Sequence, residues 1–304
     1  MIFDLKSSVK VLTIATILVA ACTERIDIKT DDAPSRVVIY GYISTDTVSL
    51  RITRSAGYFT AERPEGVSKA VVTITDCDDN EIILTECETE VGLYLAEPFV
   101  RGVENRTYTL DVVFNHDDGS VKEHFQADAY LQDIHRIDSI GLRPVNLFGG
   151  IVQVLLYADN FGENNNYAFF VAINDSIVNS TINRFMVIND SYFMGETYID
   201  GVECYFLFQN PEIEYRNEVL KTGDKVTLTI NAISAEYASF ISAAQSEIGG
   251  SNPIFGGPPA NVPTNIRRIS ASHGAPAPLG FFAAFPSRHA HTIVKEEFNF
   301  NRNR

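Results

Sequence analysis

The sequence predicts an all-β protein of two β-sandwich-like domains, the second carrying one amphipathic helix and a long Pro/Gly loop. Three observations predict it: short runs in which apolar and polar residues alternate with period two, clusters of Asp, Asn and Gly between those runs, and no strand-helix alternation of the kind that builds a parallel sheet. At 304 residues the chain exceeds what one core usually needs, and 45% hydrophobic against 21% charged residues describe a globular chain, not a polar tail. A formal net charge of -15 repels a phosphate backbone, which excludes nucleic acid as a partner.

Lys6 and Lys10 precede an apolar run over 11–21 that ends at Cys22. The run is too short to cross a hydrocarbon core, which takes about 20 residues, but it has the form of a signal peptide over 1–21. Its end, Leu18-Val19-Ala20-Ala21-Cys22, resembles the lipobox of bacterial lipoproteins. That resemblance implies cleavage before Cys22 and attachment there of acyl chains of the palmitate type, each buried methylene contributing about 0.8 kcal/mol to membrane affinity. With Thr23 and not Asp after the cysteine, it also implies sorting to the outer membrane, either leaflet remaining open. Loss of Asp4, Lys6 and Lys10 with the leader removes a net +1 and takes the mature chain from -15 to -16. Residues 22–35, with Glu24, Asp27, Asp31, Asp32 and Pro34, read as an acidic spacer between lipid and fold.

Residues 36–130 read as the first sandwich domain. Its first strand, 37–43, is dense in Val, Ile and Tyr, and Val48, Leu50 and Ile52 then alternate with Ser49, Arg51 and Thr53. Ala70, Val72 and Ile74 alternate with Val71, Thr73 and Thr75, and Asp78, Asp79 and Asn80 supply turn chemistry before 82–84, which makes a hairpin. Strands at 92–95 and at Tyr108, Leu110, Val112 and Phe114 complete it. The pattern loosens from about 130 to 144, and 131–304 reads as a second β-rich domain. There 151–157 and 167–173 flank a turn over 159–166, and Val226, Leu228 and Ile230 alternate with Lys225, Thr227 and Thr229 behind Gly223 and Asp224. One helix, 235–248, interrupts the strands: Ser234 is its N-cap, Tyr237, Phe240, Ile241, Ala244 and Ile248 form a core-facing stripe, and Gly249 and Gly250 end it.

No phosphate loop, nucleophile elbow, His-Glu-x-x-His or Cys-x-x-Cys motif occurs, so the sequence predicts neither an enzyme nor a bound cofactor. Asp76, Asp78 and Asn80 copy the first ligand positions of an EF-hand loop, but Glu81 stands at its required glycine and Cys87 at its required glutamate, which leaves an acidic turn. His289 and His291 would share one face of a strand; two imidazoles can begin a zinc site, but without an identifiable third ligand they read as surface histidines and no metal is expected. Cys77, Cys87 and Cys204 are odd in number, and a turn near Asp79 sets Cys77 opposite Glu81 with Cys87 beyond reach, so no disulfide is expected.

The strongest candidate for function is the 249–280 stretch, with Gly249, Gly250, Gly256, Gly257, Gly274 and six prolines. Loops of this length without regular structure are usually functional or disordered. Asn252, Pro253, Ile254, Phe255, Pro258, Pro259 and Asn265 are the candidate contacts, with Phe281 and Phe282 as aromatic anchors. The alternative is a loop that wraps its own sandwich and covers an edge strand.

Nearly end to end, the chain resembles the outer-membrane lipoproteins of domain-of-unknown-function family 4249. The resemblance rests on Cys22-Thr23-Glu24-Arg25-Ile26-Asp27, Val38-Ile39-Tyr40-Gly41-Tyr42-Ile43, Val71-Val72-Thr73-Ile74-Thr75-Asp76, Gly92-Leu93-Tyr94 and Thr107-Tyr108-Thr109-Leu110. The second half adds Gly223-Asp224, the Tyr237 helix, Asn252-Pro253-Ile254-Phe255, Pro258-Pro259, Asn265-Ile266 and Leu279-Gly280-Phe281-Phe282. Two stretches depart from the family: 269–278 is a Ser/Ala/Pro insert where a Gly-rich stretch is usual, and Asn80-Glu81 replaces a turn glycine. The resemblance implies an all-β accessory lipoprotein, commonly paired with a TonB-dependent transporter, with no established catalytic residues. The expected function is therefore an outer-membrane-anchored, non-catalytic binding or accessory subunit of a TonB-dependent uptake system, with a small nutrient or glycan as its ligand. With no Trp in the chain, a glycan would be held by some of the 13 Tyr or 20 Phe. The alternative is a structural surface protein, an adhesin or pilus-like subunit, in which edge strands form the interface.

Overall fold

A computed structural model of the chain describes residues 35–56, 64–159, 165–193, 198–210, 218–248, 262–270, 275–298 and 300. The leader, Cys22, the spacer up to residue 34 and the loop residues Asn252, Pro253, Ile254, Phe255, Pro258 and Pro259 lie outside the described residues. The described chain is mostly strands with one α-helix. In chain order these are β1 (Val37–Ser44), β2 (Val48–Arg54), β3 (Val71–Asp76), β4 (Glu81–Glu86), β5 (Leu93–Leu95), β6 (Arg106–Asn115) and β7 (Val121–Leu131). There follow β8 (Ile137–Val145), β9 (Ile151–Asp159), β10 (Asn166–Ile173), β11 (Ser176–Ile177), β12 (Met186–Asn189), β13 (Tyr198–Phe208) and β14 (Lys225–Ile233). Helix α1 (Ala235–Ile248), β15 (Arg267–Arg268), β16 (Leu279–Phe285) and β17 (Ser287–Ile293) close the chain.

Nine strands form one sheet, in the order β15-β7-β6-β3-β4-β5-β2-β1-β16, which curls into a half-barrel. Its inner face is the apolar half of the period-two pattern: Ile39, Ile43, Leu50, Ile52, Val72, Ile74, Leu110, Val112 and Phe125 meet there in the first core. A second sheet, β11-β10-β14-β17 with β12 also on β10, encloses a second core with the three-stranded sheet β13-β9-β8. Tyr167, Phe169 and Val171 of β10 and Val226, Leu228 and Ile230 of β14 fill it against Val152, Val154 and Leu156 of β9. Leu131 packs in the first core and Ile134 in the second. Ile266, Phe282 and Ala284, from late in the chain, return to pack in the first core, and Ser35–Arg304 makes one compact unit.

The return is made by β16, which lies parallel to β1 in the register Tyr40 to Phe281 and Gly41 to Phe282. Its sequence, LGFFAAF, is a continuous apolar run because both faces are covered. Phe282 and Ala284 face the first core, while Phe281, Ala283 and Phe285 face a seam beneath α1. Gly280 has φ +101, and a Cβ placed there would lie 2.0 Å from the Ile39 carbonyl oxygen, so only glycine lets the two strands come this close. The helix starts as its cap predicts, the Tyr237 N–H donating to the Ser234 hydroxyl at 3.1 Å, and it buries Ala244 and, in the seam, Tyr237, Phe240 and Ile241. Ile248 does not extend that stripe: it is 55% exposed.

Candidate functional site

Strand β1 carries apolar residues inward and Tyr40 and Tyr42 outward, so its outer face is aromatic where it meets the second sheet. A cleft of about 380 Å³ opens at this junction. One side is formed by Tyr40, Tyr42 and the β1–β2 turn, the other by Thr229, Asn231, Ser287 and His289 of β14 and β17, with Phe170, Phe185 and Tyr237 closing the inner end. The aromatic walls are held by their own contacts: Tyr42 stacks on Phe285 at 5.2 Å between centroids, Phe170 meets Phe185 edge-on at 4.8 Å, and Tyr237 stacks on Phe281 at 5.2 Å. Such pairs contribute about 0.5–1.5 kcal/mol each beyond the area they bury, so these walls are largely preformed.

The polar groups are few and placed. The Tyr40 and Tyr237 hydroxyls share a 2.8 Å hydrogen bond. Burial raises both phenols, and Tyr42 as well, above the usual tyrosine range, so all three stay neutral. At the mouth, the Ser44 hydroxyl accepts the backbone N–H groups of Asp46 and Thr47, a local turn that aims Asp46 across the junction. Asp46 Oδ2 lies 2.7 Å from His289 Nε2, and His289 Nδ1 lies 2.8 Å from the Thr229 hydroxyl. With the imidazole neutral, Nε2–H donates to the carboxylate and Nδ1 accepts from Thr229. The hydrogen bond from His289 is the main reason that the Asp46 carboxyl sits below its ordinary range. Deeper in, Asn231 is 8% exposed and its Oδ1 has no hydrogen-bond partner, a state that costs about 1–3 kcal/mol unless something fills it.

Asp46, His289 and Thr229 make an acid, base and hydroxyl in line, yet they lack the other half of a hydrolase. Strand β14 is laddered on both edges, by β10 and β17, so the backbone N–H groups beside Thr229 are engaged and do not form an oxyanion site. His289 and His291 do share the outer face of β17, but His289 is tied to Asp46, and no group of three or more His, Cys, Asp or Glu side chains that could hold a metal occurs among the described residues. A larger and more open depression of about 810 Å³ between β12 and β13 gathers no comparable set of polar groups, with Glu203 its charged member.

Residues 23–289 match the family described as Domain of unknown function (DUF4249). The chain belongs to this family. No curated protein matches it. In this DUF4249 chain, the motif at 38–43 and the one at 279–282, far apart in sequence, prove to be register partners in the β1–β16 pair.

Of the loop residues named from sequence, three lie within the described residues: Phe281 and Phe282 are buried and Asn265 is half-buried. Phe282 is fully buried in the first core and Phe281 is 4% exposed beneath α1, so neither ring is available as a contact for a partner. Asn265 is a staple: its amide donates to the Phe282 carbonyl at 2.8 Å and its oxygen accepts the Phe282 N–H at 3.0 Å. Sequence reasoning had the histidine face but missed Asp46, whose partner is 243 positions away, and missed that Tyr40 and Tyr42 face a cleft.

Proposed function

We propose that this chain is a lipoprotein held on the outer membrane through acyl chains on Cys22, and that it serves as a non-catalytic binding or accessory subunit of a TonB-dependent uptake system. The observation that carries the reading is Leu18-Val19-Ala20-Ala21-Cys22 behind a basic, apolar leader, followed by an acidic spacer. The preformed aromatic cleft supports the binding role, since it offers aromatic faces, neutral hydroxyls and one carboxylate. An assembly role draws on a different feature, the edge of β13, where Tyr198 and Phe206 are 40% and 36% exposed.

The test is a pull-down of the tagged, lipidated chain from solubilised outer membrane, with partners identified by mass spectrometry. A stoichiometric TonB-dependent barrel is the expected result. Recovery of the chain alone, in a ladder of sizes, would replace the accessory role by assembly.

A further inference from the structure

We infer that the cleft between β1 and the β14–β17 face is a saccharide site, taking a neutral mono- or disaccharide whose apolar ring face lies on the aromatic wall. The inference deepens the binding reading above and rests on it. The cleft's 380 Å³ falls at the lower end of small-ligand sites, which span about 300–1,000 Å³, so a short sugar fits and a long polymer could enter only by its end.

Three features of the lining select the chemistry. Tyr42, Phe170 and Phe185 are only half-buried, and their rings are already held by stacking, so they present rigid π-faces to C–H groups at little further loss of freedom. The polar groups ask for a ligand that both donates and accepts. Asn231 Oδ1 is a buried acceptor without a donor, and of the two phenolic protons of Tyr40 and Tyr237 one is spent in their mutual bond and the other is free to donate. A sugar hydroxyl does both. The third feature is charge: the lining contains no Lys or Arg, and Asp46 at the mouth, engaged by His289 and lying near Arg101, is its charged acid, so the walls offer no cationic side chain to pair with a phosphate or carboxylate.

The experiment is a titration of the full-length lipidated chain, in a zwitterionic detergent because maltoside or glucoside head groups would compete, with glucose, galactose, N-acetylglucosamine, maltose and cellobiose. Calorimetry and saturation-transfer NMR read the binding. Saturable binding by at least one sugar is expected, weakened about tenfold or more by Asn231→Ala through loss of a buried hydrogen bond. Because Asn231 is interior, Tyr42→Ala on the half-buried aromatic wall is the second variant; it should weaken binding by removing a π-face, while circular dichroism shows that the variant is folded. Absence of binding by all five sugars, equal binding in both variants, or binding of a neutral dipeptide amide in place of sugars would each overturn the inference. The pull-down above separates the two failures: sugar binding without a barrel removes the accessory role alone, and a barrel without sugar binding removes the saccharide site alone.

Discussion

The surroundings of Asp76 lower its carboxyl well below the ordinary range. It accepts the backbone N–H groups of Asp78 and Asn80 at 2.9 Å, the Asn80 side-chain amide, and Arg106. The acidic turn is thereby satisfied by its own backbone, by Asn80 and by Arg106 of β6. Desolvation opposes ionisation, but the Asn80 hydrogen bonds and then Arg106 outweigh it and hold the carboxyl at about 2. A lowered carboxyl contributes stability that is present above its ordinary value and lost as pH falls toward the folded one. Melting temperature should therefore drop between about pH 4 and pH 2, and Asp76→Ala should lower it at neutral pH and flatten that acid limb. An unchanged acid limb in the variant would assign it to other carboxylates. The cysteines give a second residue-scale prediction. Cys77 is exposed, Cys87 has its thiol lowered by a hydrogen bond with Thr89, and Cys204 is buried with its thiol pushed up by desolvation. Maleimide at neutral pH should label Cys77 and Cys87 in the folded protein and Cys204 only after denaturation.

Among the elements, the hairpin around Asp79, the strands β9, β10 and β14 and the helix were legible, because each repeats its pattern over enough residues to announce a face. The departure from a turn glycine at Asn80-Glu81 is absorbed by Asp79, which takes φ +62 itself. Strands β7, β8 and β13 were not read. In β7 the buried Phe125, Ala127 and Leu131 are diluted by Lys122, Glu123, His124 and Asp128, and β8 is an edge strand that tolerates Pro144. Two substitutions test the element contacts. Ser234→Ala should cost about 1 kcal/mol by removing the helix cap, read from chemical denaturation. Gly280→Ala should cost more, about 1–3 kcal/mol, since it must strain φ and part β16 from β1; a loss no larger than that of Ser234→Ala would mean that the parallel pair contributes little to stability.

For the whole molecule, the return of β16 matters most. It joins the last quarter of the chain to the first strand, sets α1 over the seam, and leaves the cleft where the two sheets meet. The proposed anchor residue, Cys22, precedes in sequence the compact unit that begins at Ser35. Cys22→Ala should accordingly move the chain from the membrane fraction to the soluble one while leaving its melting temperature unchanged. Continued co-sedimentation of the variant would remove the lipoprotein reading.

The amino-acid sequence by itself determined the all-β class, the position and cap of the helix, the buried face of each well-patterned strand and the family. All of these are set by residues within a few positions of one another, where period two or period 3.6 is visible without knowing the fold. Only the tertiary structure decided that Phe281 and Phe282 are core and not contact, that Asp46 meets His289, and that Tyr40, Tyr237 and Asn231 share one cleft. Those pairings join residues up to 243 positions apart, and no local period encodes which face of one strand will be covered by another so distant.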